Sequence, residues 1–322
     1  MTIPNGTFFG ETSEGSPVRA FDISGDGLSA RMIEWGAVLQ DLRLDGVDRP
    51  LTLGFPTMAG YLADGQHIGA VVGRVANRLS GGRFSVNGVP GLATRNIGGR
   101  DTLQGGAHGW GRRLWRAVEG DGRRVVLRLD DPDGAEGFPG AVAAECAYEI
   151  AGGALRITMT AAASAPTIVN ATHHAYFNLT GEDAVDDHEI AIFADRLTPL
   201  NERLMPTGAV EAVARASDLR AMSRLGRRVI DVNYVLSDTR RDAPEEAARL
   251  RGGGVDMRLS ATAPGLQVYT GDNLTGAFAP RAGLCLEPQY WPDAPNHPCF
   301  PSIEIGPDRP YREVIELAFA RT

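Results

Sequence analysis

The 322-residue sequence predicts an all-β sandwich. Three observations carry that prediction. Short runs of alternating apolar and polar residues recur, hairpin-type dipeptides punctuate them, and forty glycines and twenty prolines favour turns over long helices. Leu28 to Leu44 alternates, with Gly36 as a bend. Val125 to Leu129 is a short β-branched apolar run, and Leu155 to Thr160 alternates again. Asp26-Gly27, Asn87-Gly88, Asp121-Gly122 and Asp133-Gly134 are read as hairpin-type turns. Ala212 to Val229, rich in Ala and Arg, is read as holding a short helix. Ser237 to Gly254 carries Arg240, Arg241, Asp242, Glu245, Glu246 and Arg249 before three glycines. It is read as an exposed, mobile loop with one helical turn, a functional lid being the alternative. No internal repeat shows and no linker divides the chain, so residues 1–322 are expected to form one domain.

Composition removes several classes of function. The net charge of −8 argues against a nucleic-acid binder, which needs a basic surface to meet phosphates. All 32 basic residues are arginine. Without a lysine amine there is no Schiff base, no pyridoxal phosphate anchor and no P-loop lysine. Arginine stays charged, so proton transfer falls to His, Asp, Glu, Tyr or Cys. Cys146, Cys285 and Cys299 cannot all pair and do not have zinc spacing; a reducing cytoplasm fits them best. Met1 to Gly15 is polar with no apolar signal core, and no membrane-length apolar stretch occurs.

Gly25 to Ala30 matches a dinucleotide-binding fingerprint, with Asp45 at a tempting distance. That fingerprint requires a helix after the glycines, and an alternating strand follows instead, so a hairpin turn is the better reading. Gly-x-Ser-x-Gly and His-Glu-x-x-His motifs are absent.

Four clusters could carry chemistry. Thr172 to Leu179 contains His173 and His174, which strand geometry sends to opposite faces, so at most one enters a given cleft. Cys285 to Pro298 contains Glu287 beside an apolar run, where a carboxylate is either structurally paired or functional; burial would raise its pKa and make it a base near neutral pH. Gly73 to Leu79 places Asn77 and Arg78 side by side as donors to hydroxyls, against the alternative of a strand edge with solvated arginines. Leu103 to Trp110 puts Gln104, His108 and Trp110 in a glycine-rich loop that suits carbohydrate, against the alternative of a core tryptophan beside a turn.

In order and spacing these clusters resemble the aldose 1-epimerase (galactose mutarotase) family. Gly73-Arg74-Val75-Ala76-Asn77-Arg78 is similar to its G-R-x-A-N-R motif, and His173 to Leu179 to N-H-x-Y-F-N-L. Asp231 to Leu236 resembles D-H-N-[YF]-V-L; Gln267 to Gly271 resembles Q-V-Y-T-G; Leu286 to Gln289 resembles L-E-T-Q. Pro292 to Pro298 and Phe300 to Ser302 continue the match, which runs from about Gly36 to Tyr311.

The resemblance implies a large antiparallel β-sandwich, a supersandwich, with the sugar in an open cleft. It implies His174 as catalytic acid, Glu287 as catalytic base, and Asn77, Arg78, Asp231 and Gln267 as sugar contacts. The expected partner is a small-molecule aldose, with no cofactor, no metal, no nucleic acid and no membrane. The expected reaction interconverts α and β anomers, with ionised Glu287 taking the C1 hydroxyl proton and protonated His174 giving one to the ring oxygen. Three positions depart from the family pattern. Gln104 stands where the family carries a sugar-contacting His, with His108 as a candidate substitute; His173 replaces an Asn; Val232 replaces a His. The alternatives are a sugar-phosphate epimerase, drawing on Arg74, Arg78 and Arg83 for phosphate, and a non-catalytic sugar-binding module.

Overall fold

A computed structural model describes residues 5–322, so Met1–Pro4 of the polar N-terminal segment lie outside the described residues. The largest element is a nine-stranded antiparallel sheet. Its spatial order is Arg116–Gly120, Arg124–Asp131, Val142–Ala151, Ala154–Ala163, Tyr311–Arg321, Val255–Ala261, Glu245–Gly252, Glu189–Ile192 and Ser223–Arg224. Alternation shapes it: Val142, Ala144, Cys146, Tyr148 and Ile150 are buried while their neighbours are partly exposed. Leu155, Ile157, Met159 and Ala161 on the next strand repeat the pattern.

A six-stranded sheet runs Tyr176–Phe177, Leu284–Gln289, Gly265–Tyr269, Asp231–Val235, Arg196–Thr198, Glu211–Ala212. Its Leu266, Val268, Leu284 and Leu286 enter the same hydrophobic core as the nine-stranded sheet and the N-terminal four-stranded one. Strands 284–289 and 265–269 therefore turn one face to the core and leave the other for the site.

The turn chemistry is mixed. Asp26-Gly27 and Asn87-Gly88 both have positive φ at each residue, the backbone that a two-residue hairpin of matching twist needs. Asp121 instead caps its turn through its side chain, which accepts from the N–H groups of Arg123 and Arg124. Gly134 opens a 3₁₀ turn rather than a hairpin. Gly36 breaks the Leu28 to Leu44 run into two strands, at φ 62° and with a Cβ position only 2.6 Å from the Gly111 carbonyl oxygen.

Two expectations are corrected. The second half of Ser237 to Gly254 is not a loop: residues 237–244 are irregular, but Glu245–Gly252 is a strand inside the nine-stranded sheet, paired with Glu189–Ile192 on one side and Val255–Ala261 on the other. A register irregularity between Glu246 and Ala248 buries the adjacent Ala247 and Ala248, which interrupts the alternation that would have marked the strand. Its charges are satisfied across strands, where Arg249 and Arg251 both bond Asp256. Ala212 to Val229 holds no α-helix, only a 3₁₀ turn at Arg215–Ser217 and a short strand at Ser223–Arg224. Its buried anchors Leu219 and Leu225 stand six residues apart, which is not helical spacing.

A buried charge network fastens the loops near the site. Arg74 is 1% exposed and pairs with Asp131, which also accepts from Trp110 Nε1 and Arg113. Arg74 donates further to the carbonyls of Pro139 and Gly140. Removing the carboxylate charge would leave a buried guanidinium uncompensated, so Asp131→Asn is expected to lower unfolding free energy by ~3–5 kcal/mol in a urea titration.

Candidate active site

Strand register assembles most of the site. Antiparallel partners lie on the same face, so Asp231, Tyr269, Cys285 and Tyr176 form one row across four strands. Asn233, Gln267 and Glu287 form the next row. Both rows lie on the face turned away from Leu266, Val268, Leu284 and Leu286. His174, two residues before Tyr176, joins them.

The rows open on a cavity of about 220 Å³. That is below the ~300–1,000 Å³ of drug-sized pockets and suits a small polar ligand. All seven residues singled out in the sequence, Asn77, Arg78, Gln104, His174, Asp231, Gln267 and Glu287, line it.

Asn77 and Gln104 arrive from loops. Both have positive φ, at 60° and 51°, and the Gln104 Oε1 accepts the Asn77 N–H at 2.7 Å. The adjacent Gly105 has φ 81° and no room for a side chain, since a Cβ there would lie 1.9 Å from the Gly73 oxygen. Arg78 lies 3.8 Å from Asp231, and Gln267 Nε2 donates to Asp231 Oδ1 at 2.6 Å. Asp293 Oδ1 accepts the Ser80 N–H, which ties the proline-rich loop 292–298 to the Asn77–Arg78 segment.

At the centre, His174 Nε2 lies 3.6 Å from Glu287 Oε2, with both side chains almost fully buried. That carboxylate oxygen has no hydrogen-bond partner. The other ring nitrogen, Nδ1, is 3.6 Å from the Cys285 sulfur. Burial opposes charge on both groups. It holds Glu287 well above the usual carboxylate range, with the Asp231 charge adding to the effect and Arg78 countering it. It pushes His174 down to about 4. Burial therefore favours protonated Glu287 beside neutral His174, the reverse of the expected ionised pair. The two forms carry the same single proton and differ only in its place.

Several sequence expectations do not reach the cavity. His108 is exposed, its backbone N–H bonded to Glu136, so it does not stand in for the imidazole missing at Gln104. Trp110 is not a stacking platform but a buried core residue packed edge to face on Trp115, which agrees with the core-tryptophan alternative. Arg74 is consumed by Asp131 and Arg83 does not line the cavity, which leaves Arg78 alone of the three arginines considered for a phosphate. Val232 pairs with Val268 and packs against the core, so its replacement of a family His falls outside the cavity. His173 is buried against the Tyr148 ring, on the far side from His174 as strand geometry requires.

Sequence reasoning missed His67, Tyr176 and Tyr269, which also line the cavity. The two tyrosines were accessible through strand period, each standing two residues beyond a residue already singled out. His67, a lone histidine before a strand, carried no such signal.

The aldose 1-epimerase family profile matches residues 20–318. The chain is 36% identical to galactose mutarotase of Rattus norvegicus over 98% of both proteins. It is 30% identical to aldose 1-epimerase of Escherichia coli (strain K12), over 95% of this chain and 96% of that one. Its structure superposes on an aldose epimerase homologue from C. elegans with a TM-score of 0.89, at 26% identity, over 95% of this chain and 99% of that one. On this evidence the chain belongs to the aldose 1-epimerase family.

Proposed function

We propose that the protein interconverts the α and β anomers of a free aldose, with His174 and Glu287 as the proton-transferring pair. The observation that carries this reading is a buried imidazole and carboxylate 3.6 Å apart at the centre of a small polar cavity. Family membership supplies the reaction class, and its named relatives are galactose mutarotases and aldose 1-epimerases.

Ring opening needs a proton removed from the C1 hydroxyl and another delivered to the ring oxygen. With ionised Glu287 as acceptor and protonated His174 as donor, the step ends with protonated Glu287, neutral His174 and a bound open-chain aldehyde. That protonation of the two residues is the one burial favours. Burial thus favours the protonation pattern reached on ring opening, while Arg78, which counters the rise in the Glu287 pKa, favours the charged carboxylate. Rotation about C1–C2 and reversal of both transfers gives the other anomer. Asn77, Arg78, Gln104, Asp231 and Gln267 hold the hydroxyls in this reading. Gln104 Oε1 is engaged by Asn77, so its amide NH₂ is the group left to donate. We further propose that the chain acts as one domain in a reducing cytoplasm; its three cysteines are unpaired. No helix among the described residues is long and apolar enough to cross a membrane.

Polarimetry of freshly dissolved α-anomers tests the reading, with acceleration over the spontaneous rate as the expected result. The pH dependence tests the pair itself. Activity requires one proton on the dyad, so kcat/KM should fall as pH drops through about 4, where His174 takes a second proton. It should fall again as pH rises through the elevated pKa of Glu287, where the last proton leaves. A flat profile across that acid limb would remove His174 from the titrating pair.

A further inference from the structure

His67 is the remaining histidine of the cavity wall, and nothing in the proton-transfer scheme uses it. Its ring centroid is 6.2 Å from that of His174. The loop that carries it is clamped to the His174 backbone: Gly69 N–H donates to the His174 oxygen, and His174 N–H donates to the Ala70 oxygen. The Asp64 carboxylate accepts the N–H groups of Gln66 and Ile68 from within the same loop. The imidazole is thus held in place while its own nitrogens bond no other residue of the described chain.

The two nitrogens differ in surroundings. Nδ1 is buried, has no hydrogen-bond partner, and faces Gly111, whose Cβ position would lie 3.0 Å away. The ring is mostly buried but lines the cavity, and Nε2, unlike Nδ1, is not shut off from it. A buried N–H without an acceptor costs more than an unused lone pair, which sets the tautomer with hydrogen on Nε2. Burial also keeps the ring neutral, its pKa pushed down to about 3 with His174 and Arg112 adding to the effect.

We propose that His67 is a sugar-contacting, specificity-determining residue that donates its Nε2–H to one hydroxyl of the bound aldose. The proposal rests on the reading of this cavity as an aldose site. A fixed neutral donor discriminates between sugars differing in the placement of one hydroxyl, because a misplaced hydroxyl leaves the donor unpaired.

The test compares wild type with His67→Asn and His67→Gln over aldohexoses and aldopentoses that differ at single hydroxyls. Position 67 has φ 56°, which Asn tolerates, and Asn places its amide near the Nδ1 position and out of reach of the cavity. Gln places an amide N–H near the Nε2 position. His67→Asn is expected to raise KM about tenfold for the preferred sugar with kcat nearly unchanged, and to compress the ranking of sugars. His67→Gln should recover most of that loss. An unchanged KM ranking in His67→Asn, or equal losses in the two variants across all sugars, would overturn the contact. Wild-type protein that accelerates no mutarotation would instead remove the epimerase reading. Calorimetric titration of the same sugars into wild type and His67→Asn would then decide the contact by itself: weaker binding in the variant upholds it, and equal or absent binding overturns it.

Discussion

Glu287→Gln is expected to lower kcat for mutarotation by about 10²–10⁴-fold while leaving sugar affinity close to wild type. The glutamine amide fills the same buried position beside His174, so the cavity keeps its shape and much of its hydrogen bonding. It cannot accept and release the C1 hydroxyl proton. Stability should not suffer, because burial already disfavours the carboxylate charge at this position and the amide carries none. The alkaline limb of the pH profile, set by Glu287, should vanish from the residual activity. Polarimetric rates and calorimetric binding on the same preparation separate the two effects. A variant that kept a near-wild-type kcat would exclude Glu287 from the proton path. One that lost binding and turnover together would make it a sugar anchor instead.

How much of this was legible beforehand follows from the range of each signal. The strands of Val142–Ala151 type announce themselves through strict alternation, because one face meets the core and the other meets water. Glu287 stands out because a polar residue interrupts an apolar run, and register then aligns it with Gln267, which motif resemblance supplied. Residue type picked out Asn77, Arg78 and Gln104 and motif order added Asp231; Asn77 and Gln104 sit where the chain bends through positive φ that no periodicity encodes. The failures have equally local causes. A bulge hid the strand at Glu245–Gly252, and its charges, which suggested an exposed loop, are paired across the sheet through Asp256. Arg74 looked like a surface cation, yet it is one of the largest fully buried side chains. His67 was invisible because its place in the wall comes from backbone hydrogen bonds between its loop and His174, contacts made across about a hundred residues of chain. The rise at Glu287 was expected on condition of burial, but the fall at His174 was not, since desolvation depends on the whole surround of the pair and not on its sequence neighbours.

The same pair logic fixes what should happen at the other end of the relay. His174→Gln keeps a donor near Nε2 but cannot gain and lose a proton, and its kcat should also drop by about 10²–10⁴-fold. The acid limb of the pH profile, set near 4 by His174, should disappear with it. The informative result is the double variant. If the proton leaves the sugar at one residue only as another arrives from its partner, either single loss already breaks the relay. His174→Gln/Glu287→Gln should then be little slower than the worse single variant. Independent contributions would multiply instead, taking the double variant toward the spontaneous rate by the product of both losses. A separation of 3.6 Å, with Glu287 Oε2 hydrogen-bonded to no group of the described chain, argues for coupling, because nothing else fixes a proton on that oxygen. Multiplicative losses would mean that bulk water completes half of the transfer, and that the buried pair does not act as a unit.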